Sequence, residues 1–200
     1  RHGNRVGALL YGTEVDTVIP ARAGRLHVLH LLQRMAQRPA EAPPGATQLR
    51  DLLIAGQRIV KRRSPVFVIS DFISPPGWEQ ALAELSRRHD VTAVRLFDPL
   101  EMALPDLGLV TMRDAETGEQ LLVDTHDAGF RARFAAAARA REEALLSSLA
   151  QAGVDTLELA TDDDLLDAIL RFADLRRQRA RLASGGAPAH LMRNEARRVS

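Results

Sequence analysis

Short runs rich in apolar and β-branched residues alternate along this chain with longer stretches in which apolar positions recur at helical spacing. Residues 5–11 and 14–19 are β-rich runs separated by Gly12-Thr13, a turn signal that predicts an antiparallel hairpin. The second run carries polar Glu14, Asp16 and Thr17, the pattern of an edge strand. Across 25–37 the positions Leu26, Leu29, Leu32 and Met35 predict a helix, which Pro39 and Pro43-Pro44-Gly45 end. A second helix is predicted over 47–62.

Residues 65–70 (Pro-Val-Phe-Val-Ile-Ser) read as a buried strand, 74–77 (Ser-Pro-Pro-Gly) as a turn, 78–88 as a helix and 91–97 as a further strand. Strand, helix and strand at this spacing predict a crossover with parallel pairing. Residues 107–113 and 119–124 flank Asp114-Ala115-Glu116-Thr117-Gly118 and predict an inserted β-hairpin. A long Ala- and Arg-rich helix over 130–152, a strand over 154–160 and a helix over 162–177 follow. The fold class expected is α/β, doubly wound, with a mostly parallel sheet and an antiparallel edge strand. Residues 1–177 form one domain in this reading, and 178–200 a basic, mobile tail.

Composition narrows the chemistry. With 46% hydrophobic and 26% charged residues among 200, the chain has the make-up of an ordinary globular domain. Cysteine is absent, which removes disulfides, thiolate nucleophiles and zinc–thiolate sites. No apolar run approaches the roughly 20 residues that span a bilayer. The net charge of +1 hides an asymmetry, because residues 176–200 hold seven Arg against the single Glu195, leaving the body at about −5. The chain has no initiator Met, and Arg1-His2-Gly3-Asn4 reads as a helix end, so the sequence reads as a fragment that begins in mid-fold.

Two polar residues carry the candidate site. Asp71 follows the buried strand and so falls at the carboxyl end of the expected parallel sheet, where open α/β folds place ligands. Thr47 opens a helical pattern from which its hydroxyl can converge on that rim. Taken singly, Thr47 is a helix cap and Asp71 a turn residue; taken together, two hard oxygen donors suggest a divalent metal. His27 and His30, three apart on a helix, read as structural, and Asp162-Asp163-Asp164 as capping acids in a helix's first turn. Trp78 reads as helix-start packing. Walker, Gly-x-Gly-x-x-Gly, Gly-x-Ser-x-Gly and His-Glu-x-x-His motifs are missing, so no catalytic residue is assigned.

The order of several segments adds a resemblance. Asn4-Arg5-Val6-Gly7-Ala8-Leu9-Leu10-Tyr11-Gly12, Ile19-Pro20, Gly45-Ala46-Thr47, Val68-Ile69-Ser70-Asp71-Phe72, Arg88-His89-Asp90-Val91, Phe97-Asp98-Pro99-Leu100-Glu101 and Leu104-Pro105 resemble the bacterial "domain of unknown function 58" family. The likeness continues through Arg113-Asp114-Ala115-Glu116-Thr117-Gly118-Glu119 and Gly153-Val154-Asp155, and so covers about residues 1–175. That family carries a von Willebrand factor type A-like domain. The resemblance implies a metal-ion-dependent adhesion site (MIDAS) in which an Asp-x-Ser-x-Ser loop, a Thr and an Asp hold Mg²⁺ and leave a position for a partner's carboxylate. Thr47 and Asp71 match the second and third elements; the first has no counterpart here. Asn4 stands where family members often have Asp, which leaves the metal elements untouched.

It further implies that the first central strand is missing and belongs between 5–11 and 65–70. The implied function is a non-enzymatic protein-binding module acting with a MoxR-type AAA+ ATPase in complex assembly or maturation. The implied place is the cytoplasm, with membrane tethering through segments upstream of Arg1. Two other classes stay open: a metal-independent structural or assembly protein that works through its helices and the 107–124 hairpin, and a metal-dependent hydrolase.

Overall fold

A computed structural model describes residues 4–12, 14–37, 48–113 and 119–183. Seven strands and five α-helices are formed among them: β1 (Val6–Tyr11), β2 (Val15–Arg22), α1 (Arg25–Ala36), α2 (Leu49–Ile59), β3 (Pro65–Ser70), α3 (Trp78–Arg88), β4 (Asp90–Phe97), β5 (Leu109–Arg113), β6 (Gln120–Asp124), α4 (Ala128–Gln151), β7 (Asp155–Ala160) and α5 (Leu165–Ala183). A single 3₁₀ turn, Pro99–Glu101, follows β4.

The heart of the molecule is a parallel sheet of order β3-β4-β7. Its strands are the apolar runs expected of a sheet covered on both faces. Because side chains alternate across a strand, Val91 and Ala93 of β4 face one way, with Val68 of β3, into a core filled by Leu49 and Leu53 of α2, Trp78, Leu82 and Leu85 of α3 and Leu149 of α4. Val94 faces the other way and packs with Leu159 of β7 and Ala168 of α5. The first cluster is much the larger, and it joins α2 and α3 to each other and to the sheet.

The antiparallel strands stand apart from it. β1 and β2 pair only with each other among the described residues, as a two-stranded ribbon, rather than forming the edge of the parallel sheet. No strand lies on the outer side of β3 among those residues, so nothing bridges the ribbon and the sheet through backbone hydrogen bonds. β2 runs on through Pro20 to Arg22, three residues beyond the predicted end, which an edge strand tolerates because the missing N–H faces outward. Opposite, the register slips between Val6 and Ala8, and a Cβ on Gly7 would lie 2.7 Å from the Ile19 carbonyl oxygen. Glycine is what admits this irregularity.

β5 and β6 form the predicted hairpin, with Leu109 opposite Asp124; their connecting residues 114–118 lie outside the described set. Thr125, 1% exposed, closes its base: the Oγ accepts the Leu107 N–H and donates to the Gly108 carbonyl.

Helix ends show where local patterning stops being enough. The helix predicted over 162–177 runs instead from Leu165 to Ala183. Ion pairs anchor this stretch: Arg176 binds Asp90 and Asp155 at 2.7 and 2.8 Å, and Arg179 binds Asp155 at 3.2 Å. Residues 184–200, the rest of the expected tail, lie outside the described set. Of the acidic run before α5, Asp164 caps the helix, its Oδ1 accepting the Asp167 N–H, while Asp163 closes the turn from β7, its Oδ2 accepting the Ala160 N–H.

Candidate functional site at the carboxyl rim of the sheet

β3 ends at Ser70, and the chain turns at once through Asp71, Phe72 and Ile73. The turn is held by its own side chains. Asp71 Oδ1 accepts the Ile73 N–H at 3.0 Å and the Ser70 hydroxyl at 3.2 Å, while Ser70 Oγ accepts the Phe72 N–H at 3.0 Å. Aspartate and serine favour such side-chain-to-backbone closures. Phe72 adopts φ = 61°, a left-handed conformation unusual for a bulky residue. Its ring is buried against Trp78, with centroids 5.4 Å apart and planes at 60°. Phe72 packing thus anchors the turn from below, and Asp71 remains exposed on top. Its second oxygen, Oδ2, makes no hydrogen bond among the described residues.

The amino-terminal end of α2 docks on the same loop. The Leu49 N–H donates to Ser74 Oγ at 3.0 Å, and Arg50 lies beside Gly77. The residue at the N-cap position of α2 is Gln48, without a side-chain cap, so the hydroxyl that serves this helix end comes from Ser74 across the fold. Thr47 itself lies outside the described residues.

The donor set suits a small hard cation in kind: a carboxylate oxygen with no hydrogen-bond partner among the described residues, at a sheet edge, in an oxygen-rich loop. In number it falls short on its own, since no group of three or more His, Asp or Glu residues able to hold a metal occurs among the described residues.

One strand away, β4 carries Arg95, in register with Ser70 on one side and Glu158 on the other. Its side chain is 7% exposed and donates from Nη1 to Glu142 of α4 at 2.5 Å and to Glu158 of β7 at 3.0 Å, with the guanidinium 4.6 Å from the centre of the Phe97 ring. Burial pushes the Glu142 carboxyl above its ordinary range; Arg95 pulls the other way, and neighbouring Glu158 adds to the rise. Sequence reasoning missed this cluster and Ser74. The charged residue inside the apolar run 91–97 was the available signal, since a buried arginine must have carboxylate partners.

Two other sequence candidates, His27 and Trp78, have structural partners. His27 Nε2 lies 2.8 Å from the Val6 carbonyl oxygen, tying α1 to β1. Trp78 is 4% exposed in the core. No described helix is long and apolar enough to cross a membrane.

Comparison with known proteins gives the site a context. Uncharacterized proteins of Mycobacterium bovis and Mycobacterium tuberculosis are 37% identical over 179 residues, covering 89% of this chain and 56% of each relative. The chain therefore spans little more than half the length of those relatives. An uncharacterized protein of Mycobacterium avium is 38% identical over 165 residues, covering 82% of this chain and 96% of the relative. Among solved structures, the conserved hypothetical protein BatB from Bacteroides thetaiotaomicron superposes with a TM-score of 0.53 at 13% identity, covering 88% of this chain and 80% of that one. An aerotolerance-related membrane protein from Bacteroides fragilis gives 0.51 at 15% identity, covering 83% and 76%. These two share the fold. The model of the family described as "Protein of unknown function DUF58" matches residues 1–144, and the chain belongs to that family.

Proposed function

We propose that this chain is part of a non-enzymatic protein-binding module of the von Willebrand factor type A kind, which grips an acidic residue of another protein through Mg²⁺ at the carboxyl rim of its parallel sheet. Asp71 and Thr47 are the ligands this chain would contribute. The observation that carries the reading is the convergence of two distant segments: the Asp71 loop, with one carboxylate oxygen uncommitted, and the start of α2, tied to that loop by the Leu49–Ser74 hydrogen bond. Thr47 lies two residues before Leu49 in the chain.

The loop's own residues do the positioning. Ser70 and the Ile73 amide hold Oδ1, so the carboxylate plane is set and Oδ2 points away from these partners. Phe72 and Trp78 hold the turn down on the core. Bound there, Mg²⁺ would supply a directional electrostatic anchor for a partner carboxylate, and the surrounding loops would supply specificity. The likeness of fold to BatB and to an aerotolerance-related membrane protein supports an accessory or assembly role. In keeping with the family resemblance, we infer a MoxR-type AAA+ ATPase as the partner and a cytoplasmic location.

The test has a direct and a functional arm. In the full-length protein, Mn²⁺ used as a paramagnetic substitute should broaden the amide resonances of residues 71–74, and Asp71→Asn should abolish the broadening. Capture of the MoxR-type ATPase encoded in the same genome should require Mg²⁺ and fail after Thr47→Ala or Asp71→Ala. Equal capture after chelation and in both variants would refute the reading.

A second reading, a metal-independent assembly protein, is favoured by one observation. The β5–β6 hairpin and the segment leading into it present Leu107, Leu109, Leu121 and Leu122 to solvent, each at least 65% exposed. If this hairpin is the docking element, Leu121→Ser with Leu122→Ser would abolish capture whether or not metal is present.

A further inference from the structure

The parallel strands β3, β4 and β7 all begin at the rim opposite Asp71, and two connections bring cations to it. Arg58 sits in the last turn of α2, Lys61, Arg62 and Arg63 in the link from α2 to β3, and Arg87 and Arg88 in the last turn of α3. The two connections are neighbours: Pro65 is in register with Asp90, and the Asp90 N–H donates to the Ser64 carbonyl at 3.1 Å. All six side chains are exposed, and none makes an ion pair or a side-chain hydrogen bond among the described residues.

The acids beside them do not offset this charge. Asp90 and Asp155, at the starts of β4 and β7, are already held by Arg176 and Arg179 of α5. Two carboxylates against two guanidinium groups leave the other six cations in excess. Basic residues in the last turn of a helix complement its dipole, which accounts for Arg58, Arg87 and Arg88. It does not account for Lys61, Arg62 and Arg63, which follow the end of α2. Like charges gathered at one end of a fold repel one another, and an anion outside the molecule relieves that repulsion.

The arrangement selects the kind of anion. α2 and α3 turn their carboxyl ends to this rim, so they offer none of the free helix amides that seat a single phosphate. Residues 58–64 and 86–90 contain no Phe, Tyr or Trp on which a nucleic-acid base would stack. What remains is diffuse attraction through long side chains spread over one end of the molecule, which suits an extended negative plane. We propose that this rim docks the molecule on an anionic lipid bilayer through these six side chains. In that orientation the Asp71 rim, at the far end of the strands, faces away from the lipid.

The chain should sediment with vesicles of phosphatidylcholine and phosphatidylserine, mixed about two to one, and not with phosphatidylcholine alone. Added salt should release it, because attraction between exposed charges is screened. Each cation near such a surface raises affinity about fivefold, so the triple variant Lys61→Gln, Arg62→Gln, Arg63→Gln should bind roughly tenfold more weakly or worse. Its three positions are exposed and lie outside the core, so it should fold normally. Arg133→Gln with Arg139→Gln and Arg141→Gln removes the same charge from exposed positions on α4, well before that helix reaches the rim, and should bind like the parent chain. Three results would overturn the proposal: unchanged binding in the first variant, equal weakening in both, or tighter binding to a mixed-sequence RNA than to the vesicles at the same salt. None of these measurements involves Mg²⁺ or Asp71, so the outcome is separate from that of the proposed metal rim.

Discussion

Asp71 commits one carboxylate oxygen to its own turn and keeps the other uncommitted among the described residues, whereas both carboxylates at Arg95 share its guanidinium. The contrast separates a group shaped to meet something external from one shaped to hold elements together. In the Arg95 cluster two carboxylates compete for one guanidinium in a desolvated setting, and burial outweighs attraction at Glu142, whose carboxyl is raised. A raised carboxyl means that the folded chain takes up a proton more readily than the unfolded chain just above the ordinary glutamate range. Protonation there favours folding, so this group's contribution is fully present below the ordinary value and fades as pH rises through the raised one. Glu142→Gln, neutral at every pH and still able to accept from Arg95, should flatten that decline. Urea midpoints for the two proteins between pH 4 and pH 8 would show it; parallel curves would mean that Glu142 is ionised alike in both states.

At the scale of elements, the start of α2 is completed by a neighbour rather than by its own sequence. Ser74→Ala should leave the Leu49 N–H without its acceptor and cost about 1 kcal/mol, the usual value of a helix-end hydroxyl, measured by chemical unfolding. It should also raise hydrogen exchange in the first turn of α2 more than in α3. The same dependence explains what could be read in advance. The β-branched runs at 65–70 and 91–97 and the apolar spacing of 78–88 announce their elements because the signal is local. So does the position of Asp71, which only needs a strand before it. Ser74, Arg95 with Glu142 and Glu158, and the extra turns of α5 could not be read that way. Their partners lie 25, 47, 63 and 86 residues off along the chain, and only the packed fold brings them together.

For the molecule as a whole, the uneven coverage of the sheet is the dominant physical fact. Among the described residues, one face is covered by α2, α3 and the end of α4; on the other, α5 reaches Val94 and Leu159 but leaves β3 bare. Phe67 and Ile69, on that bare face, are 59% and 57% exposed, next to a strand edge that has no backbone partner among the described residues. An apolar patch beside an open strand edge is a template for association. The chain should therefore self-associate with rising concentration in sedimentation measurements and bind an apolar dye while folded. Replacing Phe67 and Ile69 together by Thr keeps strand propensity and removes the apolar surface. Since these side chains contribute little to the core, the double variant should change stability by no more than about 1 kcal/mol while shifting the chain toward monomer. If association is undiminished in the folded double variant, the contact lies elsewhere, and the exposed leucines of the β5–β6 hairpin are the next surface to test.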